Sequence, residues 1–321
     1  MVAPLSYSWP VAALTRNRLF NRVNVIYYHY VGPKVPYYGE DGTDYRLTHF
    51  GRDLKTLMRY FDFVPLRNLV TEPQTRGPKP RVALTFDDGF DMINNGVMDV
   101  LNKAGVPATT FLITDSVGNR RLMWRNRLTT IRLLLRPELL VRRYNELAQR
   151  HGFSSIQDPR LFMKASLKWP LARKEQWTDE LWAACDIQPE PEFLDQYKPY
   201  FTWNSLQQWI DSGHSIGLHT HTHVDCSRLN SDEIRQEITD PAQMLKFRFQ
   251  LDWLAFSYPF GDMLDDAAAA NLCTTGVLSC LFGIHGFSRQ GTPLHLLQRA
   301  YAQGHFKFEV FGNLFMSQKV R

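Results

Sequence analysis

Two apolar rhythms alternate along this chain. Short runs of β-branched and aromatic residues, bounded by turn formers, predict strands at 23–28, 82–86, 108–113, 215–218, 255–258, 276–280 and 297–302. Longer segments with apolar residues every three or four positions predict helices at 50–61, 92–104, 203–211, 231–247 and 265–272. Asn230 or Ser231 can cap the fourth of these, where Asp232 and Glu233 add negative charge to the first turn. Strand and helix in turn is the pattern of an α/β chain with a parallel sheet.

From about 118 to 199 the rhythm breaks. This stretch is rich in Arg and Trp, mostly helical in spacing, and punctuated by Pro137, Pro159, Pro170, Pro189 and Pro191. It reads as a helical insertion within a single domain spanning 1–321. Either it caps a site beside the neighbouring strands or it decorates the outside of the fold.

Composition narrows the class. With 44% hydrophobic and 21% charged residues over 321 positions, the chain is far from the disordered regime and long enough for one large core. The net charge of +5 is modest. Its arginines gather at Arg120, Arg121, Arg125, Arg127, Arg132, Arg136, Arg142 and Arg143, a run that reads as a solvated helix face or, alternatively, as a reader of phosphates or anionic headgroups. No nucleic-acid motif accompanies it, so no nucleic-acid partner is expected. Four scattered cysteines, Cys185, Cys226, Cys273 and Cys280, form no CxxC pair and no disulfide framework. The first twenty residues lack the pattern of a secretory leader, and no apolar run reaches the ~18 residues of a membrane span. The expectation is a cytoplasmic protein, at most in peripheral contact with the inner membrane surface.

Two segments carry chemistry. In Arg81-Val-Ala-Leu-Thr-Phe-Asp-Asp-Gly-Phe90 an apolar strand ends in two carboxylates and a glycine that permits a sharp turn. Adjacent strand residues face opposite ways, so Asp87 and Asp88 suit different roles unless the strand has already ended. The same string is also compatible with an ordinary strand closed by an Asp-Gly turn. In Gly217-Leu-His-Thr-His-Thr-His-Val-Asp225 three imidazoles follow a second strand. His219 and His223 share a face if this turn is helical, and histidine is the commonest side-chain metal ligand. His221 joins them only in an extended chain.

Together these segments resemble the NodB-homology polysaccharide deacetylases, carbohydrate esterase family 4, whose pattern is TFDDG followed by H-[ST]-x-x-H. The resemblance extends to Val25-Ile-Tyr-Tyr-His-Tyr-Val31, Leu47-Thr-His-Phe50, Phe256-Ser-Tyr-Pro-Phe-Gly261 and Leu297-Gln-Arg299. It implies a distorted (β/α)7 barrel and a metal-dependent hydrolase that removes N-acetyl groups from a glycan. It further implies Asp88, His219 and His223 as ligands of a divalent metal, with zinc preferred over cobalt, nickel or manganese, and Asp87 as general base. Apart from the resemblance, the aromatics Tyr258, Phe260, Phe90 and Trp124 either stack on a sugar ring or belong to the core, and Tyr258 and Phe260 are preferred as substrate-facing because Pro259 and Gly261 present them at a strand end. Two departures matter. The third motif has no arginine, and Arg299 is the expected replacement that orients Asp87. The family's histidine acid has no counterpart in its usual motif, leaving His29, His285 and His295 as substitutes, with His29 favoured. Cys226, close behind His223, reads as buried filler. Rival readings keep the metal and change the acyl group, to N-formyl or O-acetyl, or keep sugar affinity without catalysis.

Overall fold

The computed structural model describes residues 19–39, 45–72, 74, 77–94 and 96–303. Residues 1–18 of the segment on which the leader reading rests lie outside these residues. Among the described residues, no helix is long and apolar enough to cross a membrane.

Strands β1 (Val25–Tyr28), β2 (Arg81–Phe86), β3 (Ala108–Leu112), β4 (Ser215–Leu218), β5 (Ala255–Ser257) and β6 (Cys280–Gly283) pair in parallel in chain order. The last run closes the ring in an unusual way. Its first half, β7 (Leu297–Gln298), pairs with β6, and its second half, β8 (Ala300–Tyr301), pairs with β1. One short strand therefore changes partners at Arg299 and completes a seven-position barrel. The (β/α)7 expectation agrees with this architecture.

Alternation sorts each strand into two faces. Ile26, Tyr28, Leu84, Phe86 and Leu281 point outward into the core shared with the surrounding helices. Val25, Ala83, Phe111, Cys280 and Phe282 fill the other side, the barrel interior. Gly217 is required here: a Cβ on it would lie 2.4 Å from the Phe111 ring. The glycine in β4 thus makes room for the aromatic ring that fills the barrel floor.

Two helices differ from their sequence spans. The predicted 231–247 helix starts at Asn230, which forms a capping box with Glu233, but a π-turn over Arg235–Thr239 interrupts it before the helix Asp240–Phe249 resumes. Pro241 lacks the N–H that a regular ladder would need, which favours this widened turn. The predicted 276–280 strand is in fact Cys280–Gly283, because Gly276 adopts φ +72 and the residues after it form a turn.

The stretch at 118–199 is helical, with Trp124–Leu134, Pro137–His151, Leu171–Ala184 and Glu190–Tyr197 as its main members. They enclose a second core of Leu128, Tyr144, Trp169, Trp177, Leu181 and their neighbours. The solvated-face reading of the arginines is corrected for Arg127. It is fully buried among Glu175, Asp179 and Glu190, and binds the first two through its guanidinium. A buried charge is tolerable only when paired in this way.

Candidate active site

Thr85 and Asp87 are two apart and share the inward face at the C-terminal end of β2. Arg299 reaches them from the point where the last strand changes partners. Its guanidinium donates to Asp87 Oδ1 at 2.7 Å and Oδ2 at 2.8 Å, to Thr85 Oγ1 at 3.1 Å, and to Ser257 Oγ. Tyr27 and Phe111 lie under it, 4.6 and 5.0 Å from the guanidinium carbon. Arg299 is 0% exposed and Asp87 2%, so this is a fully desolvated bidentate pair. Burial pushes the Asp87 carboxyl up, but the Arg299 guanidinium, through its charge and its hydrogen bonds, leads the effects that outweigh it and hold the group down at about 2.

Asp88 does not point away, because the strand has ended. It adopts φ +70, followed by Gly89 at φ +66, and this left-handed pair turns the second carboxylate back toward the barrel mouth. A Cβ on Gly89 would sit 3.1 Å from Leu112 Cδ2, so the turn is both left-handed and crowded.

The histidine loop is not helical, which corrects the condition on which the face-sharing argument depended. Thr220 and His223 instead adopt φ +64 and +62, and Thr220 Oγ1 accepts from the His223 N–H at 2.8 Å. Glu237, in the π-turn, fastens the loop from outside by accepting from the N–H groups of His221 and Thr222 and from Thr222 Oγ1. The His219 and His223 rings end 5.0 Å apart. His221 turns away to bond Thr114 at 2.8 Å.

Asp88, His219 and His223 converge, with one ligand atom from each lying within 4.8 Å of the others. The His223 and His219 Nε2 atoms are 3.4 and 3.6 Å from Asp88 Oδ1. His219 Nδ1 lies 2.7 Å from the Ser257 carbonyl, which can only accept; the proton is therefore on Nδ1 and the Nε2 lone pair is free. Asp88 Oδ1 and His223 Nδ1 are buried with no hydrogen-bond partner among the described residues. Burial and the neighbouring Asp87 push the Asp88 carboxyl up to about 7, and burial lowers both histidines. Neutral imidazoles around an unsatisfied buried carboxylate are costly alone and form a suitable N, N, O donor set for a divalent cation.

Phe260 forms one wall. It adopts φ +59, its ring lies 4.8 Å from that of His223, and the Arg125 guanidinium carbon stands 5.2 Å from its centroid. Asp88, Thr220, His223 and Phe260 are thus four of the eight non-glycine residues with positive φ among the described residues. Each such backbone costs about 1–2 kcal/mol, and their concentration marks a site where geometry overrides stability. Tyr258 is corrected: at 1% exposure and packed edge-on against Phe256, it belongs to the core and presents nothing to a ligand. Pro259 and Gly261 are buried and serve to aim Phe260. Phe90 stacks on Tyr200 within the insertion core.

Of the three substitute histidines, only His29 reaches the centre. Its ring packs on Tyr27 and Tyr301, its Nδ1 is buried without a partner, and it interacts electrostatically with Asp87, His219 and Arg299. Burial lowers it to about 4. His295 bonds Asp266 at 3.0 Å on the outer helix, and His285 is exposed; neither is brought to the site.

Sequence reading missed Ser257, which both orients His219 and contacts Arg299. Trp124, named from the sequence as an aromatic candidate, donates through Nε1 to the His223 carbonyl at 3.0 Å, which brings the start of the helical stretch against the histidine loop. Arg125 was legible only as one of many arginines.

A family model described as polysaccharide deacetylase matches residues 74–275. Streptococcus pyogenes deacetylase PplD, solved in complex with acetate, has a TM-score of 0.56 at 14% identity, covering 93% of this chain and 99% of that one. IcaB from Ammonifex degensii has a TM-score of 0.56 at 18% identity, covering 92% and 97%. At these identities the likeness speaks for the fold. No curated protein matches the sequence.

Proposed function

Because the chain belongs to the polysaccharide deacetylase family, we propose that it hydrolyses the N-acetyl group of an acetamido sugar in a polysaccharide or glycan precursor, giving acetate and a free amine. The observation that carries this reading is the pairing of two unlike carboxylates: Asp87 locked to Arg299, and Asp88 unsatisfied between two imidazoles. Two carboxyls whose surroundings drive them apart is the arrangement that divides base from ligand.

Asp88, His219 and His223 would hold the cation. A divalent ion bound there, zinc foremost, supplies Lewis acidity toward the acetyl carbonyl and makes a water more acidic. Asp87 takes the proton of the attacking water as general base. Arg299 keeps Asp87 ionised at neutral pH and fixes its plane through both oxygens. We assign to His29 the delivery of a proton to the departing nitrogen. Since burial keeps it neutral at rest, it acts as a relay that receives the proton before passing it on. The Phe260 N–H, which has no acceptor among the described residues, is our candidate donor to the developing oxyanion.

The test is acetate release from a panel of N-acetylated glycans by zinc- or cobalt-loaded protein, beside chelated and Asp87→Asn samples. Release that needs the metal and disappears in Asp87→Asn supports the mechanism. Formate from N-formyl substrates, or release that chelation leaves intact, contradicts it. For His29, a His29→Gln enzyme that keeps both limbs of the wild-type pH profile loses the relay assignment.

A further inference from the structure

Arg125 lies in the first turn of the helix Trp124–Leu134, over the Phe260 ring that touches His223. It is half-buried, and among the described residues no carboxylate comes within salt-bridge distance of it. Its neighbours on the same segment differ. Arg121 and Arg127 both bind Glu175 and Asp179. The nearby Lys174 ammonium is buried 4.4 Å from the Trp124 ring and adds a second positive charge to this wall. Arg125 is also close enough for its field to act on Asp88, His29 and His223.

A fixed, partly desolvated guanidinium beside a site suited to a divalent cation is repelled by it unless an anion comes between them. The Asp88 carboxylate, which feels the Arg125 charge, would be taken up by the cation, and among the described residues no carboxylate pairs with the guanidinium itself. A guanidinium fork matches phosphate or carboxylate oxygens through two parallel hydrogen bonds, and stacking on an aromatic ring leaves its donors directed outward to make them. Arg125 and His223 both pack against the Phe260 ring, so the guanidinium stands about one ring's breadth from a metal-binding imidazole.

We propose that Arg125 anchors an oxyanion subsite at the rim of the active site, and that the acetylated sugar taken by this enzyme carries a phosphate or carboxylate about one ring's breadth from its acetamido group. The proposal rests on the deacetylase reading above and names its substrate class.

The test uses full-length zinc-loaded protein and deacetylated sugars, which are not turned over. Calorimetric affinities are compared for glucosamine, glucosamine 1-phosphate and muramic acid, with free acetate as a fourth probe. Wild type is expected to bind one or both anionic sugars about tenfold to a hundredfold more tightly than glucosamine, the range of one charge-assisted contact, and to lose much of that preference at high salt. Arg125→Gln should bring the ratio near one, and Arg125→Lys should retain part of it. The better anionic probe identifies the oxyanion. Equal binding of neutral and anionic sugars by wild type overturns the proposal, as does a preference that survives in Arg125→Gln. An Arg125→Gln effect confined to free acetate also overturns it, since that would assign the guanidinium to the acyl group. Failure of acetate release from every glycan would count against the deacetylase reading alone and would leave these affinity ratios to be judged separately.

Discussion

Replacing Arg299 with methionine keeps much of the side chain's apolar length and removes its charge from a fully buried pair. Breaking such a pair from one side costs about 3–5 kcal/mol, because the remaining carboxylate stays desolvated. The wild-type Asp87 carboxyl lies at about 2 against an ordinary 3.8, a preference for the ionised form worth about 2–3 kcal/mol. The two ranges meet at about 3 kcal/mol, the amount by which Arg299→Met should lower the free energy of unfolding at pH 7. The sign with pH follows from the depression. Wild-type Asp87 contributes its full stabilisation above about pH 4 and loses it as pH falls toward 2, whereas the variant lacks that contribution throughout. The difference between the two proteins should therefore be largest at neutral pH and shrink in acid. With Arg299 gone, burial pushes Asp87 upward, so the acid limb of kcat/KM should move to higher pH. Urea unfolding across pH 3–7 and a pH profile of acetate release check both statements. The double variant Asp87→Asn/Arg299→Met should recover much of the lost stability, since no unpaired charge remains. A stability difference that stays flat with pH, or an unmoved acid limb, would refute the assignment of Arg299 as the group that holds Asp87 ionised.

Three further outcomes follow from the same geometry. In metal-free protein the Asp88 carboxyl is raised to about 7, so the folded state holds a proton that the unfolded chain releases near pH 4; this group's contribution should fall by up to about 4 kcal/mol as pH rises from 4 to 7, against the buried histidines, whose lowered values favour the fold as pH rises, so wild type should gain less stability than Asp88→Asn over that range in urea titrations. One equivalent of zinc should raise the melting temperature at pH 7, by about 4 kcal/mol of added stability at a thousandfold excess over Kd, with the effect weakening below pH 7 and lost in His219→Gln. Gly89→Ala should destabilise by about 1–2 kcal/mol, because a Cβ meets Leu112 at φ +66, and should lower kcat more than the stability loss explains by misdirecting Asp88.

The (β/α) alternation was legible because each barrel strand is a short apolar run with turn residues on both sides. The helix Trp203–Asp211 and the strand Ser215–Leu218 match their predicted spans, whereas Cys280–Gly283 was placed early because Val277 and Leu278 are apolar for a different reason: they pack the turn onto the core. Tyr258 read as a ligand-facing aromatic because its neighbours are proline and glycine, but strand alternation sends it into the core beside Phe256, and only the left-handed residue two positions on faces the site.

Residue type and local spacing by themselves determined the chemical inventory, two carboxylates after one strand and paired histidines after another, since metal ligation and acid–base work demand those side chains at strand ends. Arg299 was nominated only through the family resemblance, as the replacement for the arginine that the third motif lacks. What only tertiary structure decided was direction and company. Left-handed backbone at Asp88, Thr220, His223 and Phe260 is set by packing and by bonds such as those from the His221 and Thr222 N–H groups to Glu237; the mild tolerance of Asp and His for it singles out no position, and Thr and Phe disfavour it. The Asp87–Arg299 pair joins residues 212 positions apart through a strand that changes partners, and the fate of each arginine in the 120–143 run depends on whether a carboxylate from another helix meets it. Such encounters are fixed by closure of the barrel and docking of the insertion, and these are global events that a local pattern does not encode.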